Sequence, residues 1–144
     1  MLAAATIADL NDTFLDTNES LSGICHYFFS KTRAAGNLPS DAYRALAAQL
    51  FQQFQHAEKI RSGLSLLLGE LATRTPATEH ELLDFFRHCL PDLSHPVFII
   101  DAVDECSEPE KLVRSLAALS ESSSLKLVFF SRPEIGRASC RERV

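Results

Sequence analysis

One run of apolar residues ending in a carboxylate constrains this chain more than any other stretch: Pro96-Val97-Phe98-Ile99-Ile100-Asp101-Ala102-Val103-Asp104-Glu105-Cys106. An unbroken apolar run of this length reads as a strand buried on both faces, which is the habit of parallel sheets. In open α/β sheets the ligand sits beyond the carboxyl ends of the strands, and Asp101, Asp104 and Glu105 fall at that end. Three crowded carboxylates repel one another and need a cation. The strand end is therefore a candidate site for Mg²⁺ and an activated water. The same residues also suit a plainer role, with Asp-Glu as first-turn acids of the helix that follows.

The rest of the pattern supplies the partners of that strand. Gly23-Ile24-Cys25-His26-Tyr27-Phe28-Phe29-Ser30 and Leu125-Lys126-Leu127-Val128-Phe129-Phe130 read as two further strands. His26, inside the first, reads as a core or cross-strand residue rather than a ligand. Between them lie amphipathic helices. Tyr43, Leu46, Ala47, Leu50, Phe51 and Phe54 recur at helical spacing behind Ser40 as N-cap, forming an apolar face that packs on a sheet. Gln49, Gln52, Gln53 and Gln55 lie largely off that face. Residues 64–71 predict a short helix, weakened by Gly63 and Gly69. Thr78-x-x-Glu81 is a capping box for a helix burying Leu82, Leu83, Phe86, Cys89 and Leu90, stopped by Pro91. His80 and His88 sit too far apart on it to share a metal. Ser107, Pro109 and Glu110 predict the cap and first turn of a last helix with Leu112, Val113, Leu116 and Leu119 inward. Residues 2–14 predict a further helix that starts abruptly, with no N-cap. Strands alternating with helices indicate α/β architecture, a three-stranded parallel sheet flanked by helices with right-handed crossovers.

Composition closes off several classes. At 144 residues and 46% apolar, the chain is sized for one globular domain. No apolar run approaches the ~18 residues of a membrane span, and the N-terminus lacks the basic start of a signal peptide, so the expected setting is cytoplasmic. A net charge of −5 argues against a broad nucleic-acid surface. Cys25, Cys89, Cys106 and Cys140 show no metal-ligand spacing and read as small buried hydrophobes. The last ten residues, Ile135-Gly136-Arg137-Ala138-Ser139-Cys140-Arg141-Glu142-Arg143-Val144, fit nothing before them. They match one reading frame of a widely used short-read sequencing adapter, residue for residue. The expectation is a domain over 1–134 and an artefactual tail over 135–144.

Two neighbouring strands thus end in chemistry: Asp101 to Glu105 on one, Ser131-Arg132 on the other. A guanidinium opposite carboxylates can bind an anion whose cation the carboxylates hold, and Mg²⁺ with a triphosphate fits those signs. An ordinary salt bridge of Arg132 to the acids is the plainer alternative.

These residues carry a family resemblance. Val97 to Cys106 resembles the Walker B segment of NACHT-type (STAND) signalling P-loop NTPases. Leu125 to Phe130 followed by Ser131-Arg132-Pro133 resembles the sensor strand of the same group. Cys25-His26-Tyr27-Phe28-Phe29-Ser30 with its following helix resembles the second strand. The nearest likeness is to the nephrocystin-like N-terminal subfamily, over residues 1–134. The resemblance implies a P-loop NTPase fold and a nucleotide-dependent switch using Mg²⁺ with ATP or GTP. It implies Asp101 holding Mg²⁺ through water, and Asp104 and Glu105 polarising the attacking water or sensing the γ-phosphate. It implies Ser131 and Arg132 at the nucleotide, with Arg132 on the γ-phosphate. It further implies self-association, and protein partners reached through repeat domains elsewhere in a longer parent.

One part of the pattern is missing. A P-loop NTPase needs Gly-x-x-x-x-Gly-Lys-[Ser/Thr] to cradle phosphates. The glycines at 23, 36, 63, 69 and 136 make none. The chain is therefore expected to be a fragment beginning just after the P-loop. No cofactor is expected for the fragment itself, which should bind ATP immeasurably and leave residues 125–130 as an uncovered edge strand. Two other readings remain open: a non-hydrolytic scaffold of the same fold, and a metal-dependent nuclease or phosphatase.

Overall fold

The computed structural model describes residues 4–5, 23–32, 37–71 and 76–133, with backbone alone over 68–71. Of the helix expected over 2–14, only residues 4–5 are described, and they are helical. The tail at 135–144 lies outside the described residues. The elements are β1 (Ile24–Phe28), α1 (Pro39–Phe54), α2 (Glu58–Leu71), α3 (Glu79–Cys89), β2 (Val97–Asp101), α4 (Pro109–Glu121) and β3 (Lys126–Phe129). Short 3₁₀ turns occupy Leu90–Asp92 and Val103–Glu105. The architecture is the expected α/β one: three parallel strands in the order β1-β2-β3, flanked by four helices. Among the described residues no helix is long and apolar enough to cross a membrane.

The strand patterns explain their places. β2 buries Val97, Phe98, Ile99 and Ile100 almost completely, as its unbroken apolar run requires of a central strand. β1 alternates: Cys25, Tyr27 and then Phe29 are buried, while His26 and Phe28 are exposed. His26 is thus not core; it faces out at the edge of the sheet. Because both crossovers step the same way across the sheet, right-handedness puts their helices on one face. Cys25, Phe98 and Leu127 share one register level and Tyr27, Ile100 and Phe129 the next. All six pack into the cluster with Tyr43, Leu46 and Leu50 of α1, Phe86 of α3, and Leu112 and Leu116 of α4. An edge-to-face chain of rings, Tyr43 to Phe86 at 6.4 Å and Phe86 to Phe98 at 5.5 Å, links two helices to the central strand.

Helix starts correct two expectations. Ser40 does not cap α1. Pro39 opens the helix at its first turn, where its fixed φ is already helical. The Asp41 carboxylate accepts the Leu38 N–H at 3.1 Å, leaving Ser40 inside the first turn. Nor does Ser107 cap α4. Its N–H and hydroxyl both donate to the Asn37 carbonyl, at 2.8 and 3.0 Å, and Pro109 starts the helix. The Thr78–Glu81 box forms as expected, with Glu81 Oε2 2.6 Å from Thr78 N and Thr78 Oγ1 3.3 Å from Glu81 N.

α2 is longer than expected and runs through Gly63. A Cβ there would stand 2.9 Å from Cys89 Sγ and 3.2 Å from the rings of His88 and Phe85. The glycine that weakens the helical signal is what lets α2 and α3 approach. The buried Cys25 and Cys89 thiols are both pushed up to about 12 by burial, and Cys106 is raised for the same reason, so all three behave as inert core groups.

Two of the glutamines expected off the apolar face of α1 bond to β1. Gln49 Oε1 accepts the His26 N–H at 2.9 Å and Gln49 Nε2 donates to the His26 carbonyl at 2.7 Å. Gln53 Nε2 donates to the Ile24 carbonyl at 2.8 Å. These side chains of α1 take the place of a neighbouring strand along the free edge of β1.

Candidate functional site at the strand ends

Register sets the site. Phe28 of β1 lies level with Asp101 of β2, and Ile100 lies level with Phe129 of β3, so all three chains leave the sheet side by side. Phe29 N donates to the Asp101 carbonyl at 3.2 Å and Phe130 N to the Ile100 carbonyl at 2.8 Å, carrying the ladder to the last residue of β2.

Beyond Asp101 the chain turns sharply. Ala102 takes the left-handed conformation, φ 54° and ψ 45°. A side chain in that region is strained by roughly 1–2 kcal/mol. The strain is held from both sides: Ala102 N donates to Asp101 Oδ1 at 2.7 Å, and Val103 N donates to the Phe130 carbonyl at 3.0 Å. The 3₁₀ turn Val103–Glu105 follows, closed by Glu105 N to the Ala102 carbonyl at 2.9 Å and Cys106 N to the Val103 carbonyl at 3.1 Å. This kink turns Asp104 and Glu105 back over the strand ends instead of letting them begin α4. The plainer reading of these acids as helix first-turn residues is therefore corrected; α4 starts four residues later, at Pro109.

The three carboxylates have different partners. Asp101 spends one oxygen on the Ala102 N–H; its other oxygen has no partner among the described residues. Asp104 Oδ1 accepts the Arg132 backbone N–H at 3.2 Å and the Ser131 hydroxyl at 3.5 Å, and Asp104 Oδ2 lies 3.5 Å from Arg132 Nε. Glu105 has both oxygens engaged, Oε1 by Arg132 Nη2 and Oε2 by the Lys31 backbone N–H at 2.6 Å. Asp104 and Glu105 are largely shielded, at 15% and 8% exposure, whereas the Arg132 side chain is 68% exposed.

The expected cation is thus in part supplied by the chain itself. Arg132 offsets part of the charge of Asp104 and Glu105, which is the salt bridge held as the plainer alternative, and leaves Asp101 outside it. Among the described residues no three acidic, histidine or cysteine side chains converge on one point as a metal-ligand set. His80 pairs with Asp84 at 3.0 Å and His88 with Ser62 at 3.0 Å, well separated in role. Surface clefts of about 540 and 230 Å³ lie along α2 and α3, and residues from the strand ends line neither.

Sequence reasoning missed Lys31. Its contribution is a backbone N–H, which any residue but proline carries, so no residue type could have marked it. It brings the exit of β1 into the site, so all three strands now meet at Glu105.

A family model described as nephrocystin 3, N-terminal, matches residues 1–132, and the chain belongs to that family. No curated protein matches the chain significantly.

Proposed function

Starting from that family membership, we propose that the chain carries the acidic half of a magnesium–nucleotide site in a NACHT-type signalling NTPase. ATP or GTP would drive a switch in a longer parent that assembles with itself and with protein partners through repeat domains. The observation that carries this reading is the side-by-side exit of Asp101-x-x-Asp104-Glu105 from β2 and Ser131-Arg132 from β3. It sets a carboxylate end against a guanidinium end across one strand spacing.

Asp101 fits a Mg²⁺ ion. Mg²⁺ keeps several waters and takes only one or two carboxylates plus phosphate oxygens, and Asp101 offers one oxygen with no described partner. When bound, the ion neutralises phosphate charge and orders water. Arg132, mostly exposed and planar, suits bidentate contact with a terminal phosphate. Ser131, whose hydroxyl lies 3.5 Å from Asp104, is assigned to the nucleotide beside Arg132. Both remaining acids have their two oxygens engaged, but Asp104 is held by longer contacts of 3.2–3.5 Å and Glu105 by a 2.6 Å bond from the Lys31 N–H, so orienting a water is assigned to Asp104.

That engagement of Glu105 favours a second reading, a non-hydrolytic scaffold that binds nucleotide without turning it over. A metal nuclease needs a convergent ligand set, and the described residues supply none.

The test is isothermal calorimetry with Mg-ATP and Mg-GTP on two proteins. One is this chain; the other extends it upstream through the genomic reading frame. The chain alone should give no measurable heat. The extended protein should bind, and Asp101→Asn should weaken it about 10-fold or more, a loss of ~1.4 kcal/mol. An upstream frame without Gly-x-x-x-x-Gly-Lys-[Ser/Thr], or an extended protein that binds neither nucleotide, ends this reading.

A further inference from the structure

We propose that Arg132 is a built-in counter-ion of the acidic strand end, so that cation and anion bind there more readily together than either does alone. The inference rests on the reading of this end as the cation side of the site, and adds to it a closed state and a condition for opening.

The geometry divides the ion pair into a fixed half and a movable half. The fixed half is the pair of acids. The Ala102 kink and the 3₁₀ turn set their backbone, the Lys31 N–H holds Glu105, and both side chains are largely shielded from water. The movable half is the Arg132 guanidinium, on a long flexible stem with two-thirds of its surface in solvent. Its only described ionic partners are Asp104 and Glu105. Its backbone N–H is separately tied to Asp104, so the side chain can swing while the strand end stays in place.

Charge then sets the rule for opening. If the guanidinium leaves for an anion, two adjacent shielded carboxylates lose their compensation, and an uncompensated pair of this kind is strongly unfavourable. If a cation arrives first at Asp101, it meets a guanidinium that repels it and neighbouring acids whose charge that guanidinium already halves. The anion alone strips the acids of their counter-ion and the cation alone crowds it, whereas the two together exchange one set of opposite charges for another. The closed pair therefore makes cation and phosphate binding interdependent, and disfavours occupancy by either alone.

The test needs no nucleotide. Mn²⁺, a paramagnetic stand-in for Mg²⁺, is titrated alone into the full chain while amide signals of residues 101–105 are followed by NMR. Arg132→Gln should bind Mn²⁺ at least 10-fold more tightly than the wild type, with broadening centred on 101–105. Arg132→Lys, which keeps the charge, should bind as weakly as the wild type. The Lys31 amide shift, unchanged in Arg132→Gln, reports that Glu105 is still in place and the fold intact. Glu105→Gln keeps an acceptor for Lys31 but loses the ion pair, and should sharpen the Arg132 Nε signal through faster motion. Equal Mn²⁺ affinity in wild type and Arg132→Gln overturns the latch while leaving the nucleotide reading to its own calorimetric test. Broadening away from 101–105 in every variant overturns it as well. A failure of the extended protein to bind nucleotide, with the Arg132→Gln gain intact, separates the two ideas in the other direction.

Discussion

The sheet has two outer strands, and they are finished in opposite ways. Along β1 the outward backbone groups are taken up by α1: Gln49 bonds both the N–H and the carbonyl of His26, and Gln53 bonds the carbonyl of Ile24. Along β3 the ladder to β2 uses Lys126 N and Phe130 N, which turns the backbone groups of Leu127 and Phe129 the other way. Among the described residues no strand and no side chain bonds to that outer edge. One edge is closed by helix glutamines, and the other has no pairing partner among the described residues. Edges left in that condition recruit another strand. The difference shows that a sheet edge can be closed without proline, bulge or charge, by amide side chains that mimic a missing strand.

The central strand sets the scale for testing that contrast. Phe98→Ala should cost ~3–5 kcal/mol, since the ring is fully buried between α3 and the sheet. Urea unfolding should show the variant largely unfolded at low denaturant.

Alkaline pH should loosen the β1 side next. The folded Cys25 and Cys89 thiols lie at about 12, above their ordinary value of 9.0. Above pH 9 the unfolded chain sheds these protons and the folded chain keeps them, so stability falls as pH rises toward 12. Each thiol contributes up to ~1.4 kcal/mol per pH unit in that window. Denaturation midpoints at pH 8 and 10 should differ, and Cys25→Ala with Cys89→Ala should flatten the slope. Hydrogen exchange should speed up in β1 before β3, because Cys25 lies in β1.

Gln49→Ala should cost ~1–2 kcal/mol through two lost edge bonds, and should make the protein self-associate through β1 as well. Sedimentation at rising concentration reads both. If Gln49→Ala leaves association unchanged, the glutamines are not what closes that edge.

Val128→Lys should cost at most ~1 kcal/mol, as a half-buried edge position, and should reduce association of the wild-type chain measured by light scattering. An association that ignores a charge on β3 would mean the open edge is not its cause. The smallest effect is expected between the two edges. Ala102→Gly relieves the left-handed backbone and should stabilise by ~0.5–1 kcal/mol; a loss of stability would show that the Ala102 methyl, buried at 9% exposure, matters more than the strain.

Much of the frame was legible in the residues. The doubly buried β2, the apolar stripe of α1, the Thr78–Glu81 box and the helix stop at Pro91 all appear where local pattern places them. Ser40 and Ser107 failed as caps because Pro39 and Pro109 open the two helices, which leaves Ser40 inside the first turn and Ser107 one residue ahead of the cap position. Gly63 failed as a helix weakener because close packing against α3 outweighed its intrinsic cost. At the site, the positions of Asp101, Asp104, Glu105, Ser131 and Arg132 were legible, but the division of labour among them was not. Ala102 carried no mark of a positive φ, since alanine seldom adopts one.

By itself the sequence determined which stretches bury themselves and with what period, because burial is a property each residue carries locally. It thereby determined an α/β chain with acids at the end of its central strand and a guanidinium at the end of the next. Only the tertiary structure decided which polar groups meet. Gln49 lies 23 residues from His26, Arg132 lies 27 from Glu105, and Lys31 lies 74 from the same carboxylate. A hydrogen bond requires position and direction to within a few tenths of an ångström. No residue type encodes that; it is fixed when the packed strands bring their ends into register.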